Sequence, residues 1–240
     1  MLLYGYNTKL LKSNARSSVE DLGKRFLKSL IAFRTSDKAI VSAACLSRRH
    51  VTRVLFFGTM ANLSQALVHA YKSTTNPAQR LLSQACCGLL FFGVPQLGLR
   101  NEKLTSLVEG QPNQALIKAL VVDDESEPSD FLGRMSDDFA RCFQGRLRVI
   151  SFYERRLSAI IKIQPDGTLK KSGPIVLMVT RKSAISTGLT AASDEDIIPL
   201  DTDYSGFIKF ESRRDDAYII AKERIKSLMS GTASLAEDRR

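Results

Sequence analysis

Two histidines, His50 and His69, and four cysteines, Cys45, Cys86, Cys87 and Cys142, are the whole imidazole and thiol supply of this 240-residue chain. Two imidazoles cannot build a histidine-rich metal centre, and neither H-E-x-x-H nor C-x-x-C occurs. There is no G-x-x-x-x-G-K-[ST] loop to cradle a nucleotide phosphate. No metal and no cofactor is expected. His50 follows Arg48 and Arg49 and reads as part of a solvated basic stretch, while His69, near the end of a predicted helix, reads as a cap or surface residue. Adjacent Cys86 and Cys87 do not easily bridge each other, and four cysteines are too few for a disulfide framework in a chain this long. They read as reduced, buried thiols of an intracellular protein.

The elements that must position any site can be traced along the chain. MLLYGY (1–6) predicts a short strand. Ser17 and Glu20 have capping-box spacing, and Val19, Leu22, Phe26, Leu27 and Leu30 then recur with helical period. Residues 35–53 show no clear period. Val54–Phe57, ending at Gly58, predicts a buried strand, residues 63–72 a helix, and Gly88–Phe92 a second buried strand. Helices are expected over 101–121 and 129–143, separated by an acidic loop, Asp123–Glu127. Arg148–Tyr153 predicts a strand. Ile160–Ile163 and Thr168–Lys170 flank the turn Pro165-Asp166-Gly167 and predict a hairpin, with a further strand over Ile175–Thr180. The last helix is expected over 214–229, followed by a frayed polar tail. Apolar strands alternating with helices indicate a largely parallel sheet covered on both faces.

Composition excludes several classes. At 44% hydrophobic and 25% charged, the chain is not of disordered composition, and with 14 glycines it is not collagen-like. No apolar run approaches the roughly 20 residues of a membrane span, and MLLYGYNTK lacks the basic and apolar regions of a signal peptide. The net charge of +10 is uneven: residues 1–53 carry 11 basic and 3 acidic residues, a net of +8, leaving +2 for the remainder. With no nucleic-acid-binding module beside it, this basicity reads as solvated helix faces, and nucleic acid is the less favoured partner. Anionic lipid or nucleic acid bound through 1–53 is kept as the second alternative function.

Seven segments carry a family resemblance: LLYGYN (2–7), SSVEDLGKRFLKSL (17–30), QALVHAYKS (65–73), GLLFFGVPQLGLRNEKL (88–104), RVISFYE (148–154), LMVTRKSA (177–184) and IPLDTDYSGFIKF (198–210). In this order they resemble the α/β-hydrolase-like domain of fungal proteins related to the serine active site-containing protein and GPI inositol-deacylase families. In those fungal proteins the domain often precedes NACHT, ankyrin or tetratricopeptide regions. The resemblance implies an α/β three-layer fold with a mostly parallel sheet, here truncated at its N-terminal edge, since the first strand and oxyanion loop would lie upstream of residue 1. It implies one incomplete domain over 1–229, with 35–53 an irregular insert and 230–240 a polar tail. The bared edge at MLLYGYN leads us to expect an associating, poorly soluble protein.

The chemistry implied is serine hydrolysis of lipid or ester substrates at an intracellular membrane. It needs a serine on a tight strand-to-helix turn, a histidine base, a carboxylate to orient it and an oxyanion hole. Where the family has its nucleophile elbow, this chain reads Phe57-Gly58-Thr59-Met60-Ala61-Asn62-Leu63-Ser64. Gly58 matches; the elbow serine and following glycines do not, and Ser64 falls inside the next helix. Where the family reads D-H-S-G, the chain reads Asp203-Tyr204-Ser205-Gly206. A phenol with an ordinary pKa near ~10 is a poor base at neutral pH. Glu154, ending RVISFYE, keeps the acid position.

The reading is therefore a catalytically degenerate serine-hydrolase-like domain, an interaction or regulatory module. Its expected partners are other proteins or an intracellular membrane surface. The resemblance implies a cytoplasmic location, or a peripheral one at a mitochondrial or endoplasmic-reticulum membrane. The alternative is an active esterase or lipase, if the irregular 35–53 segment is a translated intron and the spliced message restores the elbow.

Overall fold

The computed structural model describes residues 14, 16–36, 54–58, 62–122, 129–166, 168–189, 193–207 and 209–237. The predicted strand at 1–6, the insert beyond residue 36, and the acidic loop 123–127 lie outside them. The apolar period from Val19 forms helix α1 (Val19–Ser36), which takes residues 35 and 36 from the expected insert. Its capping box is shifted by one residue from the expected Ser17–Glu20 pair. Asp21 N–H donates to Ser18 Oγ (3.1 Å) and Ser18 N–H to Asp21 Oδ2 (3.0 Å). Ser18 and Asp21 repeat the same spacing one position on and satisfy the orphan donors reciprocally. Those bonds from the Ser18 backbone and hydroxyl hold the Asp21 carboxyl below its ordinary pKa.

Next come β1 (Val54–Gly58), α2 (Asn62–Lys72), α3 (Pro77–Ala85) and β2 (Cys86–Phe92). Helix α3 was not read from the sequence. Its signal is the pair Asn76-Pro77: the Asn76 carboxamide accepts from Ala78 and Gln79 N–H, and proline occupies the first turn, where no N–H is needed. The single helix expected over 101–121 is two, α4 (Glu102–Leu107) and α5 (Gln114–Leu120). Gly110, at φ 69°, takes a left-handed turn, and Pro112 follows without an N–H to continue a helix. Helix α6 (Asp130–Phe143) buries Leu132, Met135, Phe139 and Phe143 as the sequence predicts.

Strand β3 (Arg148–Glu154) leads into a hairpin, β4 (Ser158–Ile163) and β5 (Leu169–Val176), then α7 (Arg181–Ile185), β6 (Ile197–Leu200) and α8 (Asp216–Glu237). The strand expected over Ile175–Thr180 does not form. Val176 ends β5, and Val179 and Thr180 turn away to donate to Glu154 and to cap α7. Strand β6 was missed because Pro199 interrupts a short apolar run. It is tolerated here because among the described residues β6 is bonded on one side only, to β3, and an edge strand can spare an N–H. The expected frayed tail is helical as far as Glu237.

β1, β2, β3 and β6 form one parallel sheet in that order. Strand alternation sends neighbouring residues of β2 to opposite cores. Leu89 and Phe91 pack with Leu30 of α1, Leu67 of α2, Leu82 of α3 and Phe143 of α6. Leu90 and Phe92 pack with Ile150 and Phe152 of β3, Ile198 of β6, Phe207, and Leu228 of α8. The rings of Phe92 and Phe152 stack at 4.3 Å. Helices thus cover both faces and the chain is α/β, as expected. Among the described residues no helix is long and apolar enough to cross a membrane.

At the amino end of the sheet, Arg148 donates through Nε (2.8 Å) and Nη2 (2.7 Å) to buried Asp196, and through Nη1 to Ser227 of α8 (3.2 Å). One guanidinium thereby ties β3 to the start of β6 and to α8. At the carboxyl end, Gly93 has φ 58°, and a Cβ there would fall within the Phe207 ring, 2.7 Å from Cδ2. Both the backbone and the packing require glycine. Gly93→Ala should destabilise the fold by roughly 2–4 kcal/mol, combining left-handed strain with overpacking. Urea unfolding checks this; a loss under about 0.5 kcal/mol, the ordinary scatter of surface substitutions, would show that Phe207 is not seated on that turn.

Candidate functional site

Ligands of open parallel sheets bind beyond the carboxyl ends of the strands. Three positions named from the sequence lie at that end. Gly58 closes β1, Glu154 closes β3, and Tyr204 lies in the loop after β6. The register sets Gly58 beside Phe91 and Phe91 beside Ser151, so Gly58 sits two strands, roughly 10 Å, to the side of β3. Thr59, Met60 and Ala61, the turn itself, lie outside the described residues.

Glu154 shares the parity of Ile150 and Phe152, which face α8, and is 2% exposed. Val179 N–H donates to its Oε1 (2.8 Å), and its Oε2 has no hydrogen-bond partner among the described residues. Burial raises the carboxyl pKa. The N–H dipoles of Val179, Met178 and Tyr204 partly offset this, and the charge of Asp203 adds to it. The neighbouring Arg156 is occupied by Asp201 through two bonds (2.9 and 2.7 Å) on the exposed surface.

The structure therefore brings Glu154 and the loop of Tyr204 together. Tyr204 N–H donates to Ser158 Oγ (3.1 Å), and its ring meets Phe207 edge-on at 6.1 Å. The loop is stiffened by Ser205 Oγ donating to Asp203 Oδ1 (2.9 Å), and Arg155 and Arg156 N–H donate to Leu200 and Thr202 carbonyls. Among the described residues no imidazole stands beside Glu154: His69 is on α2, half-buried, with Nε2 3.2 Å from Gln65 Nε2. It is neither a cap nor fully exposed, and burial, then Lys24, lowers its pKa. His50 lies outside the described residues. Ser64 is the third residue of α2 and 2% exposed, packed inward rather than presented on a turn.

Two side chains that the sequence reading did not single out border this end of the sheet. Gln96 and Asn101 are 4% and 1% exposed, and Gln96 Nε2 and both amide atoms of Asn101 lack hydrogen-bond partners among the described residues. They sit in the loop after β2. That loop is fastened to the segment gripping Glu154: Arg100 N–H donates to Met178 O (3.1 Å), and Leu97 N–H to Ser183 Oγ (3.2 Å). Buried polar atoms are rarely left unpaired. Their signal in the sequence is only a polar residue in an otherwise apolar loop, which does not distinguish them from solvated ones.

Cys86 and Cys142 are buried and free, as expected of thiols here, and burial raises the Cys142 pKa. Among the described residues no group of three or more histidine, cysteine or acidic side chains is placed to hold a metal. Lys24, Arg25 and Lys28 are exposed on α1, one turn beyond Glu20 and Asp21. No protein-family profile, curated protein or solved structure matches the chain.

The raised Glu154 pKa has a thermodynamic sign. Between the unfolded carboxyl value of about 4.3 and the higher folded value, the folded state holds more protons. Stability is fully present below the unfolded value and is lost as pH rises through the folded one. Glu154→Gln keeps the shape and the acceptor for Val179 N–H but removes the charge. Subtracting the melting curves of wild type and variant between about pH 4 and pH 8 should show wild type losing ground steadily as pH rises. A difference that is flat, or that favours wild type at high pH, would mean the carboxylate is solvated.

Proposed function

We propose that this chain is a catalytically degenerate serine-hydrolase-like domain, acting as an interaction or regulatory module rather than by turnover. One observation carries the reading. The Glu154 carboxyl has for neighbours the N–H groups of Val179, Met178 and Tyr204 and the charge of Asp203, and among the described residues no imidazole. In a serine hydrolase the carboxylate orients a histidine that takes the serine proton. The place for that histidine, the loop after the last sheet strand, is held by Tyr204. The sequential parallel order β1-β2-β3-β6, with the acid ending the third strand, is consistent with a hydrolase-like chain path. It also agrees with other α/β folds, so the class of chemistry rests on the resemblance.

A general base without a nucleophile assists no covalent step. A fluorophosphonate probe should leave the protein unlabelled, and p-nitrophenyl acyl esters should hydrolyse at the protein-free rate. Tyr204→His should restore nothing by itself. Labelling that disappears on Ser64→Ala would overturn the reading in favour of an active esterase. So would a spliced message encoding an intact elbow, whose product labels.

A further inference from the structure

We propose that the β4–β5 hairpin is a docking edge for an extended acidic segment of a partner protein. The hairpin is a separate two-stranded sheet, not bonded into the four-stranded one. β4 is its inner strand, with Ile160 buried and α4 packed against it. β5 is its outer strand: Lys170, Lys171, Ser172, Pro174 and Ile175 are all exposed, Ile175 at 64%. Among the described residues β5 is bonded on one side only, and its outward N–H and C=O groups are a template for an added strand, regular over 169–171 and interrupted by a register shift and Pro174 before Ile175.

The charge on this edge selects the partner. The register sets Lys162 directly opposite Lys170, with Lys171 on the following position across from Ile161. Like charges directly opposed in an antiparallel pair destabilise it. No acidic side chain among the described residues pairs with any of the three lysines. The hairpin's own acid, Asp166, is exposed at the tip, beyond the lysines, and accepts from Thr168 N–H (2.9 Å) and hydroxyl (2.6 Å). Lysines and a proline on an edge also discourage two copies from pairing with each other. The same residues leave the edge open to a strand of opposite charge, with carboxylates at alternate positions and an apolar residue over Ile175. This interface deepens the reading of the chain as an interaction module without using the sheet-end site, so peptide binding and ester turnover fail separately.

The test uses the full chain and a fluorescent peptide of about eight alternating Glu and Val residues, a typical strand length, read by anisotropy. Saturable binding is expected, weakening severalfold between about 0.05 and 0.3 M salt as charges are screened. Lys162→Gln with Lys170→Gln should weaken it by about tenfold, two charge pairs' worth, with the melting temperature unchanged or raised. N-methylation of alternate peptide amides should abolish it, since main-chain bonds carry strand addition. A Lys/Val peptide binding equally well, or indifference to N-methylation, would overturn the proposal. Equal, lysine-dependent capture by phosphatidylserine vesicles would instead make the hairpin a membrane contact and overturn it too.

Discussion

Burial of β2 and β3 on both faces is the constraint on which the rest of this protein hangs. A strand covered on one face can alternate polar and apolar residues; one covered on both cannot. β2 accordingly runs Leu89-Leu90-Phe91-Phe92 without a polar residue, serving two cores in alternate steps. The close approach of α8 makes a further demand. At Gly88 a Cβ would lie 2.9 Å from Leu228 Cδ2, so the helix seats where a side chain is missing. On the opposite face α1, α2, α3 and α6 share a larger core, and the one polar side chain β3 buries beside it, Ser151, is small enough to be accommodated.

Against that apolar background Glu154 stands out. It continues the row of Ile150 and Phe152 yet carries an ionisable group to the same depth. One oxygen is satisfied by Val179; among the described residues the other has no hydrogen-bond partner and no cation pairs with the carboxyl. Burying a carboxyl without a counter-charge costs stability in its ionised form. Such cost collects at sites where a partner group or ligand completes the arrangement. Gln96 and Asn101, also buried with bonding capacity unfilled among the described residues, lie in the loop fastened to the same Met178–Ser183 segment. The carboxyl end of the sheet is thus unusually polar for its depth, while the amino end is closed by the Arg148–Asp196 pair, whose bonds are complete.

The elements legible in the sequence are those with a long or pure period. α1 and α6 follow from five and four apolar residues at helical spacing, and β1, β2 and β3 from apolar runs bounded by glycine or charge. Short elements escaped because their signals are local and easily overruled. α7 is five residues set by one threonine cap, and β6 is four with a proline inside. The 101–121 helix failed for the opposite reason: an apolar period ran across Gly110 and Pro112, whose backbone geometry outweighs it.

What the sequence determined by itself is composition-level and periodic: an α/β chain, its two-faced strands, its main helices, and the chemical types at Gly58, Glu154 and Tyr204. Periodicity reports which residues want to leave water, and that preference is local to each segment. What only the tertiary structure decided is pairing. It placed Glu154 against Val179 and the Tyr204 loop, set Lys162 opposite Lys170, kept Ser64 inside a helix, and left Gln96 Nε2 and the Asn101 amide buried without hydrogen-bond partners among the described residues. These depend on strand register and on loops folding back over the sheet, contacts between residues 8 to 86 positions apart. A side chain's hydrogen bonds and desolvation are set by those neighbours, and no spacing in the chain encodes them.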